Sequence, residues 1–315
     1  MNIADRDTDD VKSPVRIILA DRNFRRFWIS QVLYSAVNGS LRFTFVWLVV
    51  TLTDWRAAEG LVAITLGLPA MFLSVPAGAW SDRVNRRQLF VRWTTATCIA
   101  LAIFTVLIAT GVTAIAALII GIGVSINMPN VGAIVPLLVP KERLMNAIAL
   151  QNGGGQAAGF VGLAGGGVAI AVFGDAGGFG LFTVVLTGSL ILMSRVDIPA
   201  DAASAVAEQS MFASIKEGAH FALSKDPLRT LIFLAMTLGS SFSVMQISMP
   251  RVVEETYGNG AGVAGLVLGS FGMGMLVSSA AVANRVTMRH GRNVALFIGI
   301  GLGMGQFLLS WAPNA

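Results

Sequence analysis

Charge is scarce in this chain: only 12% of its 315 residues are Asp, Glu, Lys or Arg. A water-facing domain carries about 25%, so half the usual charge cannot clothe a soluble surface. Cysteine is scarcer still. Cys98 stands alone, which excludes an internal disulfide and leaves the redox compartment unread; a buried thiol is the expected state. The two histidines, His220 and His290, lie in separate polar segments, so no metal-ligand cluster is visible. No Ser-His-Asp or Cys-His set is apparent, which argues against an enzyme and against a metal or organic cofactor. The stretch "GGGQAAG" has neither a preceding strand nor a Gly-Lys-Ser/Thr ending, so it is not a phosphate-binding loop.

Apolar sequence is abundant: 55% of the residues are hydrophobic and the mean hydropathy is +0.73. The isoelectric point near 10.0 raises the possibility of nucleic-acid binding. The excess charge is only +5 and sits in short loops, so nucleic acid is rejected as a partner. The first 26 residues are polar and basic, and the apolar run behind them is too long for a signal-peptide core.

A helix needs about 20 apolar residues to cross a bilayer. Nine segments meet that length, near 27–50, 58–80, 89–109, 112–135, 147–172, 178–195, 229–250, 261–283 and 293–312. Basic residues concentrate on one side of an alternating path, the cytoplasmic side by the positive-inside rule. Every Lys and Arg falls there except Arg42, Arg56 and Arg251. The chain therefore reads as an all-α integral membrane protein of the plasma membrane with a cytoplasmic N-terminus. Its expected parts are a cytoplasmic segment 1–26, a six-helix bundle 27–195, a connector 196–228 and three helices in 229–315. Within the connector, Phe212, Ile215, Ala219 and Ala222 share one helical face, which predicts a short amphipathic helix at the membrane surface.

Two landmarks recur. "RVNR" at 83–86 and "RHGR" at 289–292 each follow the second span of a half. "NFRR" at 23–26 and "DPLR" at 226–229 each precede a first span. Matched landmarks at nearly one offset point to duplicated halves, as in many transporters.

The loop "GAWSDRVNRR", 78–87, carries Asp82, Arg83, Arg86 and Arg87 between two apolar spans. Orientation explains the arginines but not the acid. A carboxylate at a helix end can pair with those arginines or accept from the amides of a facing helix N-terminus. In span one, Gln31, Ser35, Asn38 and Arg42 share one helical face. An Arg within the bilayer costs about 2.5–3.5 kcal/mol on insertion scales, so this face is expected to line a central cavity; snorkelling of Arg42 to the surface is the competing reading. Gln151, Asn152 and Gln156 in span five are further cavity candidates. Gly155 and Gly159, and Gly162 and Gly166, are four apart, the spacing that lets helices approach closely.

On these residues the chain resembles a major facilitator superfamily transporter. "GAWSDRVNRR" is similar to that superfamily's signature after its second helix, with Asn85 where Gly is common. "NMPNVGAIVPLLVPKERLMNAIAL", 127–150, and "SIKEGAHFALSKDPLR", 214–229, resemble the branch of enterobactin exporters and macrolide efflux proteins. The resemblance implies two six-helix bundles around a cavity, alternating access, and a cytoplasmic latch at Asp82 with Arg83, Arg86 and Arg87. The second-half copy keeps Arg289, Gly291 and Arg292 but has Met288 where Asp82 would align, and so is expected to be structural. Gly162 to Gly167 resembles the antiporter signature, with Leu163 in place of its proline. Twelve helices are usual in the family, so nine imply a C-terminally truncated chain with an incomplete second bundle.

None of the 17 acids lies centrally in a span, and Asn38 stands where related exporters are expected to carry Asp. Proton coupling therefore does not follow from these residues. The acid could lie beyond Ala315, coupling could run through Asp82, or transport could be uncoupled. The expected function is export of amphipathic small molecules, drug- or siderophore-like. Uptake of a polar or anionic solute held by Arg42 is the second reading, and a non-transporting membrane subunit the third.

Overall fold

The computed structural model describes residues 14–52, 86–107, 134–198, 224, 226–257 and 260–283. Six α-helices order most of these residues: α1 (Pro14–Ala20), α2 (Arg22–Leu52), α3 (Arg86–Leu107), α4 (Leu144–Ser194), α5 (Asp226–Tyr257) and α6 (Ala261–Ala283); residues 134–138 are also helical. A 3-10 turn, Lys141–Arg143, leads into α4. Spans two and nine, most of span four and the amphipathic connector helix lie outside the described residues.

The expected spans one, three, seven and eight correspond to α2, α3, α5 and α6. Spans five and six are the two arms of α4, divided at Gly174, whose φ of 68° and ψ of 177° break the helix. That backbone region is open essentially to glycine alone, which is why the chain can reverse there. By length and apolarity alone, two described segments qualify as membrane-crossing, Arg87–Val106 and Lys141–Ser194. Span one falls short because Ser, Gln, Asn and Arg interrupt its apolar run.

Paired contacts fix the direction of each helix. Arm 144–173 runs parallel to α2: Trp28 Nε1 donates to the Leu150 carbonyl at 3.2 Å, and Ser40 Oγ to the Gly162 carbonyl at 2.9 Å. Arm 175–194 runs antiparallel, with Phe45 against Phe179 and Ser30 bonded to Ser189. Helix α3 is parallel to α2, through Tyr34–Phe90 and Phe45–Phe104. Helix α6 opposes arm 144–173, since Gly167 meets Ala261 and Phe160 meets Gly272. Spans one, three and five thus run one way and spans six and eight the other, the alternation that short turns across a membrane demand.

The segment before span one is less polar in practice than its composition suggests. Ile18 on α1 is buried in the first-half core. Asp21 then caps α2, its Oδ1 accepting from the Phe24 amide at 2.7 Å, a contact worth about 1 kcal/mol in helices generally.

Hydroxyls inside the spans are satisfied locally. Thr44, Thr95, Thr97, Thr105 and Thr183 each donate to the carbonyl four residues back, the usual solution where water is absent. Ser30 and Ser189 instead bond across helices. Each donates to the other's carbonyl, at 2.9 and 2.8 Å, and the hydroxyls lie 3.1 Å apart. Ser189→Ala is expected to lower stability by about 1 kcal/mol. Thermal unfolding in detergent checks this, and pairing it with Ser30→Ala should cost less than the two single losses together.

Two apolar clusters result. The larger draws only on the first half, from Ile18 to Val196, and includes an edge-on Phe104–Phe179 pair at 4.7 Å. The smaller joins the halves: Phe43, Trp47, Phe160, Leu163 and Ile170 meet Val253, Ala261, Ala264 and Leu268.

Candidate functional site

The polar face of α2 takes three different environments. Gln31 is 2% exposed, and its Nε2 has no hydrogen-bond partner. Asn38 is half-buried and turns its Nδ2 onto its own helix, donating to the Tyr34 carbonyl at 2.9 Å. Arg42 is exposed although every other residue from Gly39 to Leu48 is buried.

On α4, Gln151 is half-buried with Oε1 unpartnered, while Asn152 and Gln156 are exposed. The contacts of Trp28 with Leu150 and Gly154, and of Ser35 with Gly155, bracket Gln31 and Gln151. These two glutamines therefore occupy the same stretch of the α2–α4 seam, one offering an N–H and the other a carbonyl oxygen. Arg42 stands apart from them, about 16 Å farther along α2 at the helical rise, beside Phe43 of the cluster that joins the halves.

The glycines sit where the two backbones come closest. A Cβ on Gly162 would collide with the Ala36 carbonyl, and one on Gly166 would lie 2.9 Å from the Ser40 Cα. Gly155 is looser, 3.4 Å from Ser35 Oγ by the same measure, and Gly159 looser again. The collision at Gly159 arises from its partner, since a Cβ on Gly39 would strike the Gly159 carbonyl. A second seam escaped the sequence reading. Gly167 and Gly265 leave no room for side chains between α4 and α6, and Gly269 and Gly272 face Ala164 and Phe160. The four-residue spacing of Gly265 and Gly269 was the available signal.

At the charged loop, Asp82, Arg83, Arg289, Gly291 and Arg292 lie outside the described residues, as does the side chain of Arg86. Arg87 donates from Nη2 to the Ser194 carbonyl at the C-terminal turn of α4, where the helix dipole favours a cation. Arg26 likewise donates to the Arg195 carbonyl at 3.2 Å. Asn23 exchanges two hydrogen bonds with the Asp197 backbone, at 2.6 and 2.9 Å. The N-terminal end of α2 is thus tied to the end of the first half.

The second half contributes Pro250 inside α5, which removes one backbone donor and weakens the helix there. Beyond it Arg251 pairs with Glu255 at 3.1 Å, and Glu254 Oε2 is buried without a hydrogen-bond partner. Among the described residues, no group of three or more metal-ligating side chains occurs.

Compared with known proteins, residues 14–311 match the family profile described as transmembrane secretion effector, of the major facilitator type. Among curated protein sequences none matches. The fold is similar to the crystal structure of a D-xylose-proton symporter, with a TM-score of 0.57 and 14% identity over 92% of this chain and 80% of that one.

Proposed function

Because the chain belongs to the transmembrane secretion effector family of the major facilitator superfamily, and is thus a multi-pass membrane transporter, we propose that it exports amphipathic small molecules by alternating access. The observation that carries this reading is the cluster joining the halves. It ties the C-terminal ends of α2 and α5 to the N-terminal end of α6, while the larger cluster stays within the first half. With the N-terminus in the cytoplasm, as the positive-inside rule directs, that cluster is an outer seal. Gln31 and Gln151, each with one unpartnered polar atom, lie on its cytoplasmic side and Arg42 lies at its level beside Phe43; on this reading they line the central cavity.

Cargo enters from the cytoplasmic side and meets the polar face of α2 with Asn152 and Gln156. Rocking of the halves separates Phe43 and Trp47 from Val253 and opens the outer end. The glycine-lined α4–α6 seam suits such motion, because bare backbones can slide past each other. Asp82, with Arg83, Arg86 and Arg87, latches the cytoplasmic side in that outward state. No acid lies centrally in the spans, so the driving ion is not assigned to a residue.

Dye accumulation in cells expressing the protein tests the direction: an exporter lowers it, an importer raises it, and a non-transporting subunit leaves it unchanged. Asp82→Asn is expected to slow efflux roughly tenfold, the worth of one hydrogen bond to a charged group, at an unchanged membrane level. Full efflux from that variant would remove the latch.

A further inference from the structure

We propose that the exported molecules carry an anionic group, a carboxylate, sulfonate or phosphate ester on an apolar body, and that Arg42 receives it. The inference rests on the exporter reading above and adds the charge of the cargo.

Three observations carry it. Arg42 keeps exposed surface between Leu41 and Phe43, each 2% exposed, while the protein around it withholds water from its guanidinium. Among the described residues no hydrogen bond or ion pair to Arg42 occurs. No acid lies on α2, α3 or α6, and on α4 the only one is Asp175, beside the break at Gly174. A guanidinium cannot shed its charge in a protein and presents a planar fork of donors that fits two-oxygen anions. Leaving it without a counter-charge inside a bilayer is costly. An anion that arrives from the cytoplasm and is carried out removes that cost for the part of the cycle in which it is bound. A cationic amphiphile meets only repulsion there.

One acid on the other half could compete. Glu254 adjoins Val253, which packs in the same cluster as Phe43, and its Oε2 has no partner. An Arg42–Glu254 pair formed in another state would make Arg42 a gate residue rather than a receiver of cargo. A lipid headgroup is the other source of a matching anion.

The test uses the purified protein in phosphatidylcholine vesicles without anionic lipid, following exchange of carboxyfluorescein, an anion, and rhodamine 123, a cation. The wild type should move carboxyfluorescein faster. Arg42→Gln should slow carboxyfluorescein roughly tenfold or more, the loss of a charge-assisted contact, without slowing rhodamine; Arg42→Lys should retain part of the anion rate. Faster rhodamine than carboxyfluorescein in the wild type overturns the proposal. So does an equal loss of both dyes in Arg42→Gln, which marks a structural role. Recovery of anion transport in the swap Arg42→Glu with Glu254→Arg assigns Arg42 to the gate and also overturns it. An Arg42→Gln defect that appears only after phosphatidylglycerol is added assigns the site to lipid. Movement of neither dye by the wild type removes the exporter reading, and this inference with it.

Discussion

Gly162→Val is expected to destabilise the first half strongly. Gly162 is buried, and a Cβ there would collide with the Ala36 carbonyl, a backbone atom that cannot rotate away. Separating α2 from α4 to admit the side chain would also break the Ser40 hydrogen bond to the Gly162 carbonyl, at 2.9 Å, and strain the Trp28–Leu150 bond at 3.2 Å. In a bilayer apolar surface gains little by leaving lipid for another helix, so close packing and interhelical hydrogen bonds carry the association. Overpacking typically costs about 1–3 kcal/mol, and a backbone clash belongs at or above the upper end. That is a large share of a total stability of about 5–15 kcal/mol. Gly153→Ala and Gly165→Ala are the controls, since a Cβ at either meets nothing within 4 Å. Both should be neutral or stabilising, by up to about 1 kcal/mol. Thermal unfolding in detergent, followed by tryptophan fluorescence, separates the cases. Similar melting of Gly162→Val and Gly153→Ala would mean that the close approach is not what holds the helices.

Trp47→Ala is expected to open the outer seal. Trp47 is 6% exposed and stacks on Phe43, with ring planes 13° apart and centroids at 6.1 Å. Truncating a buried Trp costs about 3–5 kcal/mol in a packed core. Here much of that loss falls on the closed state alone, because the cluster forms only where the halves meet. A difference of about 1.4 kcal/mol between states already shifts their ratio tenfold. Cys98 is the chain's single cysteine, so a Cys98→Ser background with Val253→Cys gives one reporter at a position 3% exposed. An impermeant maleimide added outside should label it slowly, and roughly tenfold faster or more after Trp47→Ala. Unchanged labelling would mean that this cluster is packing within a rigid body and not a gate.

Much of the architecture could be read directly from the chain. Bilayer-length apolar runs gave spans one, three, five, six, seven and eight, and the gap between spans 147–172 and 178–195 is where Gly174 makes the reversal. The four-residue spacing of Gly155, Gly159, Gly162 and Gly166 marked the face of α4 that meets α2. Less was legible at the ends. The polar segment 1–26 hides a docked helix, because one buried side chain, Ile18, is too short a signal to stand out. Helix α5 runs on to Tyr257 through Pro250, beyond the expected limit at 250, since the apolar run ends before the helix does.

The sequence by itself determined that this protein crosses membranes, and it set the expectation of nine spans with the basic loops in the cytoplasm. These are one-dimensional quantities: the length of an apolar run must match the bilayer, and cationic residues are costly to translocate. Only the tertiary structure decided which faces meet. It separated the face of α2 into a buried Gln31, a self-bonded Asn38 and an exposed Arg42, though all three share one helical angle. It brought Phe43 and Trp47 to Val253, some two hundred residues away, and made Gly39 and Gly265 partners of α4. The physical reason is that every span is apolar, so burial cannot choose among faces. Shape and the few hydrogen bonds between helices make that choice, and both exist only once the helices are side by side.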